Sequence, residues 1–264
     1  MIRVAGLTIT FARGTPLEKT ALDGIDLSVE AGEFVSIIGS NGAGKSTLLS
    51  ALAGDFPPTS GRIFIDGVDV GRQPTARRSA RVARVFQDPL AGSCGTLTIE
   101  ENLALAAARG SRRGLGTALK QGRRAVFMER LKSLGLGLEG RMSDRMALLS
   151  GGQRQAIALV MATLAPSSVL LLDEHTAALD PGMAEFVTGL TRRIVEEHRL
   201  TTLMVTHSMR QALDLGTRTV MLHEGRIVLD VGGAERSRLT VEDLVAMFRR
   251  QRGKDLDDDE LLIG

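Results

Sequence analysis

"GSNGAGKST", residues Gly39 to Thr47, follows the apolar run "EFVSIIG" and precedes the apolar "LLSALAG". The spacing is G-x-x-x-x-G-K-[ST], set between an expected strand and an expected helix. That context predicts a phosphate cradle. Gly42 and Gly44 let backbone N–H groups converge on phosphate oxygens, and the helix N-terminus adds positive potential. Lys45 brings a point charge to the β- and γ-phosphates, and Ser46 offers a hydroxyl to Mg²⁺. The candidate contacts with ATP are therefore Gly39, Ser40, Asn41, Gly42, Ala43, Gly44, Lys45, Ser46 and Thr47.

A second stretch completes the chemistry. In "VLLLDEHTAALD", Val169 to Asp180, an apolar strand ends on two carboxylates. A nucleotide at Lys45 needs a further Mg²⁺ anchor, and Asp173 at the strand end is the expected acid. Glu174 is then placed to orient or deprotonate a water that attacks the γ-phosphate. Side chains alternate along extended chain, so His175 is expected to point away from the face used by Glu174. Its expected role is structural, and His175→Pro is expected to keep substantial activity.

The rest of the chain supplies alternating strands and helices. "IRVAGLTITF", "IDLSV" and "EFVSIIG" read as strands, and "GRIFIDGVDV" as a hairpin about Asp66-Gly67. Residues 98–108 read as a helix capped by Thr98 with Glu101 three positions on. "AVFMERLKSLGL" reads as an amphipathic helix, and "SGGQRQAIALVMATLA" as an apolar helix beginning at Ser150. Strand 169–173, a helix over 182–198, strand "TTLMVTH" and a hairpin turning at Glu224-Gly225 follow. Such alternation predicts an α/β fold with a mainly parallel sheet.

Composition sets limits. With 264 residues, 33 basic and 31 acidic, the chain has no charge excess that argues for nucleic acid. The basic stretch 109–124 holds Arg109, Arg112, Arg113, Lys120, Arg123 and Arg124 without aromatic interleaving, so a solvated or membrane-near face is expected. One cysteine, Cys94, excludes an internal disulfide and suits a reducing compartment. No signal peptide is expected at the N-terminus. The longest apolar run, Ala156 to Ala165, is about half of what a bilayer needs. Work at a membrane would thus go through a partner. His198, near a helix end, and His223, beside a hairpin turn, read as structural. The tail 253–264, "GKDLDDDELLIG", reads as a solvated end.

On "LSGGQ", Leu149 to Gln153, the chain resembles the ATPase subunits of ABC transporters. "VFQDP" matches the Q-loop with Gln87, "AALD" the D-loop with Asp180, and "MVTH" the switch histidine, His207. Phe11 matches the aromatic that stacks on adenine. The resemblance covers about residues 2–248. It implies an ABC ATPase fold: a P-loop NTPase core with an antiparallel β subdomain and an α-helical subdomain. Residues 1–248 form one expected domain, with the helical subdomain at about 88–165 and an acidic tail at 249–264.

The resemblance also implies a head-to-tail dimer of two such chains. Each ATP lies between one chain's phosphate loop and the other's Ser150, Gly151, Gly152 and Gln153, with Asp180 in a loop crossing the interface. A Ser followed by two glycines at a helix start is a second anion cradle. Gln87 reaches the metal or attacking water, and His207 holds the γ-phosphate. The expected partners are an integral membrane permease and, indirectly, a solute-binding protein. The expected place is the cytoplasmic face of the inner or plasma membrane.

The sequence departs from the common pattern where Ala156, Met161 and His175 replace two arginines and a proline. "LDEHTAALDP", "TTLMVTHSM" and "LTVEDL" resemble one branch, associated with branched-chain-amino-acid-like permeases and in some systems with aromatic amino acids. The alternative is a non-transport ABC ATPase regulating envelope or cell-division machinery.

Overall fold

Alternating apolar residues of "IRVAGLTITF" build β1 (Ile2–Phe11), with Ile2, Val4, Leu7 and Ile9 buried. The parity of the buried positions switches at Gly6, where φ is 56° and the pairing register shifts. A bulge of this kind re-aims the following side chains without ending the strand. β2 (Lys19–Val29) runs antiparallel to β1. The buried β3 (Phe34–Gly39) leads through the phosphate loop into α1 (Lys45–Ala53). β4 (Ser60–Ile65) and β5 (Val68–Asp69) form the expected hairpin. At its tip Asp66 and Gly67 both have positive φ, 51° and 74°, as a type I′ turn requires. β2, β1, β4 and β5 make one antiparallel sheet in that order.

α2 (Thr75–Arg78) ends on a fully buried arginine. The Arg78 guanidinium donates to the carbonyls of Ala51 and Leu52 at the end of α1, and to those of Val70, Gly71 and Gln73. Helix ends leave carbonyls without intrahelical partners, and one arginine here serves two of them together with three loop carbonyls. Burial pulls its pKa down, while Asp55 and Asp69 act in the opposite sense.

The chain then enters a second unit. β6 (Val82–Val85) pairs in parallel with β7 (Val169–Asp173), Val82 opposite Val169. Between them come α3 (Ile99–Ala107), α4 (Arg123–Lys132) and α5 (Gly151–Thr163). α3 begins with the expected capping box of Thr98 and Glu101. α6 (Pro181–His198) follows β7. Two basic residues of the stretch 109–124 have protein partners, Arg109 in a half-buried place and Arg124 on the exposed face expected for the stretch. Arg109 caps the carbonyls of Ala162 and Ala165 at 2.8 and 3.1 Å, and Arg124 pairs with Glu100 at 2.7 Å.

The chain returns to the first unit with β8 (Thr201–Val205), α7 (Met209–Leu215), β9 (Arg218–His223), β10 (Arg226–Gly232), α8 (Gly233–Arg236) and α9 (Val241–Arg252). β3 lies between β8 and β9 and is parallel to both; β10 is antiparallel to β9. Ile38, Met209, Ala212, Met221, Leu244 and Phe248 pack as one apolar cluster under this sheet's helices.

These units are Met1–Arg78 with Arg199–Gly264, and Ser79–His198. This computed structural model describes residues 1–111 and 122–252. Arg112, Arg113 and Lys120 of the basic stretch, and the tail 253–264, lie outside the described residues. The fold is α/β with parallel strands, a separate antiparallel sheet and flanking helices, as expected from the sequence.

Candidate functional site

The phosphate loop is shaped by backbone that side chains would block. Gly39 has φ 149°, and a Cβ there would sit 2.2 Å from the Leu222 carbonyl oxygen. Gly44, the N-cap of α1, has φ 101°, and its Cβ would meet the Ala21 carbonyl oxygen at 2.5 Å. No side chain caps this helix start, and no acid in its first turn would repel an anion drawn to its positive end. Ala43 O accepts from Gly225 N at 3.0 Å, which fastens the loop to the β9–β10 turn. Lys45 is buried, and its Nζ donates to Gly39 O at 2.8 Å and Ser40 O at 3.0 Å. Asn41, Gly42 and Ser46 are exposed, and Thr47 is half-buried.

Two further residues of this unit were expected at the nucleotide. Phe11 ends β1, 36% exposed, with its ring 5.1 Å from Phe56 at 85°. His207 follows β8 and is half-buried. Its neighbours fix its place: Thr206 Oγ1 donates to Gln211 Oε1 at 2.6 Å, and Ser208 caps α7 through Gln211 N at 3.2 Å.

In the second unit Asp173 ends β7, and Arg84 Nη2 donates to its Oδ2 at 2.8 Å. Glu174, half-buried, has φ 46°. That left-handed geometry is uncommon for a residue with a Cβ and turns the chain sharply out of the strand. Gln87 is exposed and starts a loop in which Asp88 accepts from Leu90 N at 2.9 Å. Directly before it, Phe86 O accepts from Gln155 Nε2 of α5 at 3.2 Å.

Ser150 is the N-cap of α5 and forms a capping box with Gln153, each bond 3.2 Å. The sequence reading gave Gln153 to the nucleotide; the structure gives it a local partner that organises the helix start. Gly152 is required by packing, since a Cβ would lie 2.5 Å from Met183 Cε and 3.0 Å from its Cβ. Asp180 is exposed and accepts from Met183 N at 3.1 Å, which makes it the cap of α6 with Pro181 next. The Asp-Pro pair is a helix-start signal that could have identified this role.

His175 now has its partner. It is 2% exposed, and its Nε2 lies 2.9 Å from Thr191 Oγ1 in α6. Thr191 Oγ1 gives its proton to Val187 O at 2.8 Å, so His175 Nε2 carries the proton between them. Nδ1 is buried without a hydrogen-bond partner among the described residues. Burial pulls the His175 pKa down from 6.5 to about 4. The histidine is neutral in the fold and braces the turn after Glu174 against α6.

This makes a pH prediction. Below pH 6.5 the unfolded chain binds a proton at this residue that the folded chain refuses until about pH 4. Stability contributed by His175 is present above 6.5 and falls across this window, by about 3 kcal/mol in total. Urea unfolding of His175→Pro should show a flatter loss between pH 6.5 and 4 than the wild type. An identical slope would exclude His175 as the source.

Among the described residues no three of His, Cys, Asp and Glu gather as a metal site. The first unit carries the Ser46 hydroxyl, and the second carries the Asp173 carboxylate and the Gln87 amide oxygen, each a hard oxygen. Oxygens of this kind are the donors Mg²⁺ takes, alongside waters and substrate phosphates. No helix among the described residues is long and apolar enough to cross a membrane.

The chain is similar to known proteins over most of its length. A family model described as ABC transporter matches residues 22–177. The tyrosine transport ATP-binding protein of Clostridioides difficile (strain R20291) is 42% identical over 94% of this chain and 98% of its own length. A thiamine import ATP-binding protein of Escherichia coli O157:H7 is 38% identical over 76% of this chain and 82% of its own. A dimeric ATP-binding cassette in a post-hydrolysis state with ADP and Pi superposes with TM-score 0.76 at 30% identity, over 88% of this chain and 98% of that one.

Proposed function

The chain belongs to the ABC transporter family as an ATP-binding, ATP-hydrolysing subunit, and on that premise we propose that it powers solute import, the solute being an aromatic amino acid. The observation that carries the ATPase reading is a pair of helix starts built for anions. One is α1 behind the phosphate loop, and the other is α5 behind Ser150, Gly151 and Gly152. One chain has two such cradles but one phosphate-loop lysine, Lys45. Two chains arranged head to tail use all four cradles on two ATP molecules.

The roles follow residue by residue. Lys45 and the loop amides hold the β- and γ-phosphates, and Phe11 offers a ring face to adenine. Ser46, Gln87 and Asp173 are the oxygen donors for Mg²⁺, which when bound offsets phosphate charge as the bond to the leaving group breaks. Glu174 takes the proton of the attacking water, and His207 holds the γ-phosphate. Gln87 reports the phosphate to the helices of about 88–165, which receive the permease. In this reading 1–248 act as one cassette at the cytoplasmic membrane face.

The cargo and direction are supported by the names of relatives, tyrosine transport at 42% identity and thiamine import at 38%. The branch suggested by "LDEHTAALDP", "TTLMVTHSM" and "LTVEDL" would supply a branched-chain-amino-acid-like permease and a solute-binding protein as partners. The test is uptake of radiolabelled tyrosine, tryptophan and phenylalanine by cells lacking this protein. Uptake of one should fall, and return with the wild-type chain but not with Glu174→Gln. Unchanged uptake with a division or envelope defect would favour the non-transport alternative.

A further inference from the structure

β6 carries an arginine among buried apolar residues, Val82, Ala83 and Val85. A buried guanidinium is costly unless it is paired and hydrogen-bonded. Arg84 is both. It donates to Asp173 Oδ2 at 2.8 Å, and each side chain is only 12% exposed. Its guanidinium carbon lies 4.5 Å from the centre of the Phe86 ring, within cation–π range. Phe86 is in turn held through its carbonyl by the fully buried Gln155 of α5, and Gln87 is the next residue. One arginine thus joins the strand-end aspartate to the segment that carries Gln87 and is anchored to the helix opened by Ser150.

We propose that Arg84 is a positioning residue that sets how strongly Asp173 favours metal-bound over metal-free nucleotide. The proposal rests on the reading of Asp173 as a Mg²⁺ anchor. A carboxylate fixed by a charge-assisted bond through one oxygen has a set orientation. The same fixed positive charge weakens its attraction for a divalent cation and favours the more negative, metal-free ATP. Arg84 therefore keeps Asp173 in place at the cost of selectivity for the metal complex.

The test is fluorescence titration with methylanthraniloyl-ATP, once with Mg²⁺ and once with EDTA. The quantity read is the dissociation constant in EDTA divided by that in Mg²⁺. Arg84→Met should raise this ratio about tenfold, the size of one logarithmic unit for a neighbouring charge. Arg84→Lys should stay near the wild-type value. A purely structural arginine would lower the melting temperature of Arg84→Met and leave the ratio unmoved, which overturns the proposal; so does a fall in the ratio. If Arg84→Met does not fold, Arg84→Gln keeps a donor without the charge, and the same rise is expected.

Asp173→Asn separates the two layers. If it lowers the ratio while Arg84→Met leaves it unchanged, only the role of Arg84 fails. If Asp173→Asn leaves the ratio unchanged, the metal reading of Asp173 fails, and this proposal with it.

Discussion

Glu174→Gln should cut ATP turnover by about a hundredfold to ten-thousandfold, the range expected for loss of a positioned proton acceptor. Nucleotide affinity should stay within about threefold of the wild type, because the variant keeps side-chain shape and leaves the phosphate loop untouched. The structural reason is the turn at the end of β7. Glu174 holds φ at 46°, and His175 behind it is locked to Thr191 at 2.9 Å. Backbone fixed this way sets the direction in which the Glu174 side chain leaves the strand end. Phosphate release measured beside methylanthraniloyl-ATP binding separates the two effects. Turnover at the wild-type rate would remove Glu174 from the chemistry.

Lys45→Ala should fail earlier, at binding. The Lys45 ammonium is buried and already bonds Gly39 O and Ser40 O at 2.8 and 3.0 Å. It is thus poised over the loop before any phosphate arrives. Hydrogen bonds to a charged group are worth about 1.5–3 kcal/mol each, so losing the contact to the β- and γ-phosphates should weaken ATP binding about a hundredfold. Calorimetry with ATP and with AMP checks this. The loss should be large for ATP and small for AMP, which lacks those phosphates. Equal losses for both would point to a damaged loop instead of a missing charge.

The parts legible in the sequence were those whose chemistry is contiguous. "GSNGAGKST" states its own geometry, because each glycine, the lysine and the hydroxyl serve one turn of backbone. The Asp66-Gly67 and Glu224-Gly225 turns, the Thr98–Glu101 capping box and the helix start at Ser150 are local in the same sense. What stayed hidden was tertiary. Arg84 and Asp173 are 89 residues apart, and nothing in "VARVF" announces a partner. His175 could be assigned a structural role from strand alternation, but Thr191 lies a whole helix segment away. Arg78 reads as one more basic residue until its fit to the end of α1 is seen. Gln153 and Asp180 were assigned to nucleotide and interface, and the structure adds a helix-capping job to each.

The central claim is that ATP joins two copies of this chain head to tail. The most direct measurement is the light-scattering mass of Glu174→Gln with and without ATP. Slow turnover should let the ATP-bound pair accumulate, so the mass should rise from 28.2 kDa to about twice that value on adding ATP, and fall back as ATP is removed. A mass that stays at 28.2 kDa at saturating ATP, with binding intact, would contradict the account.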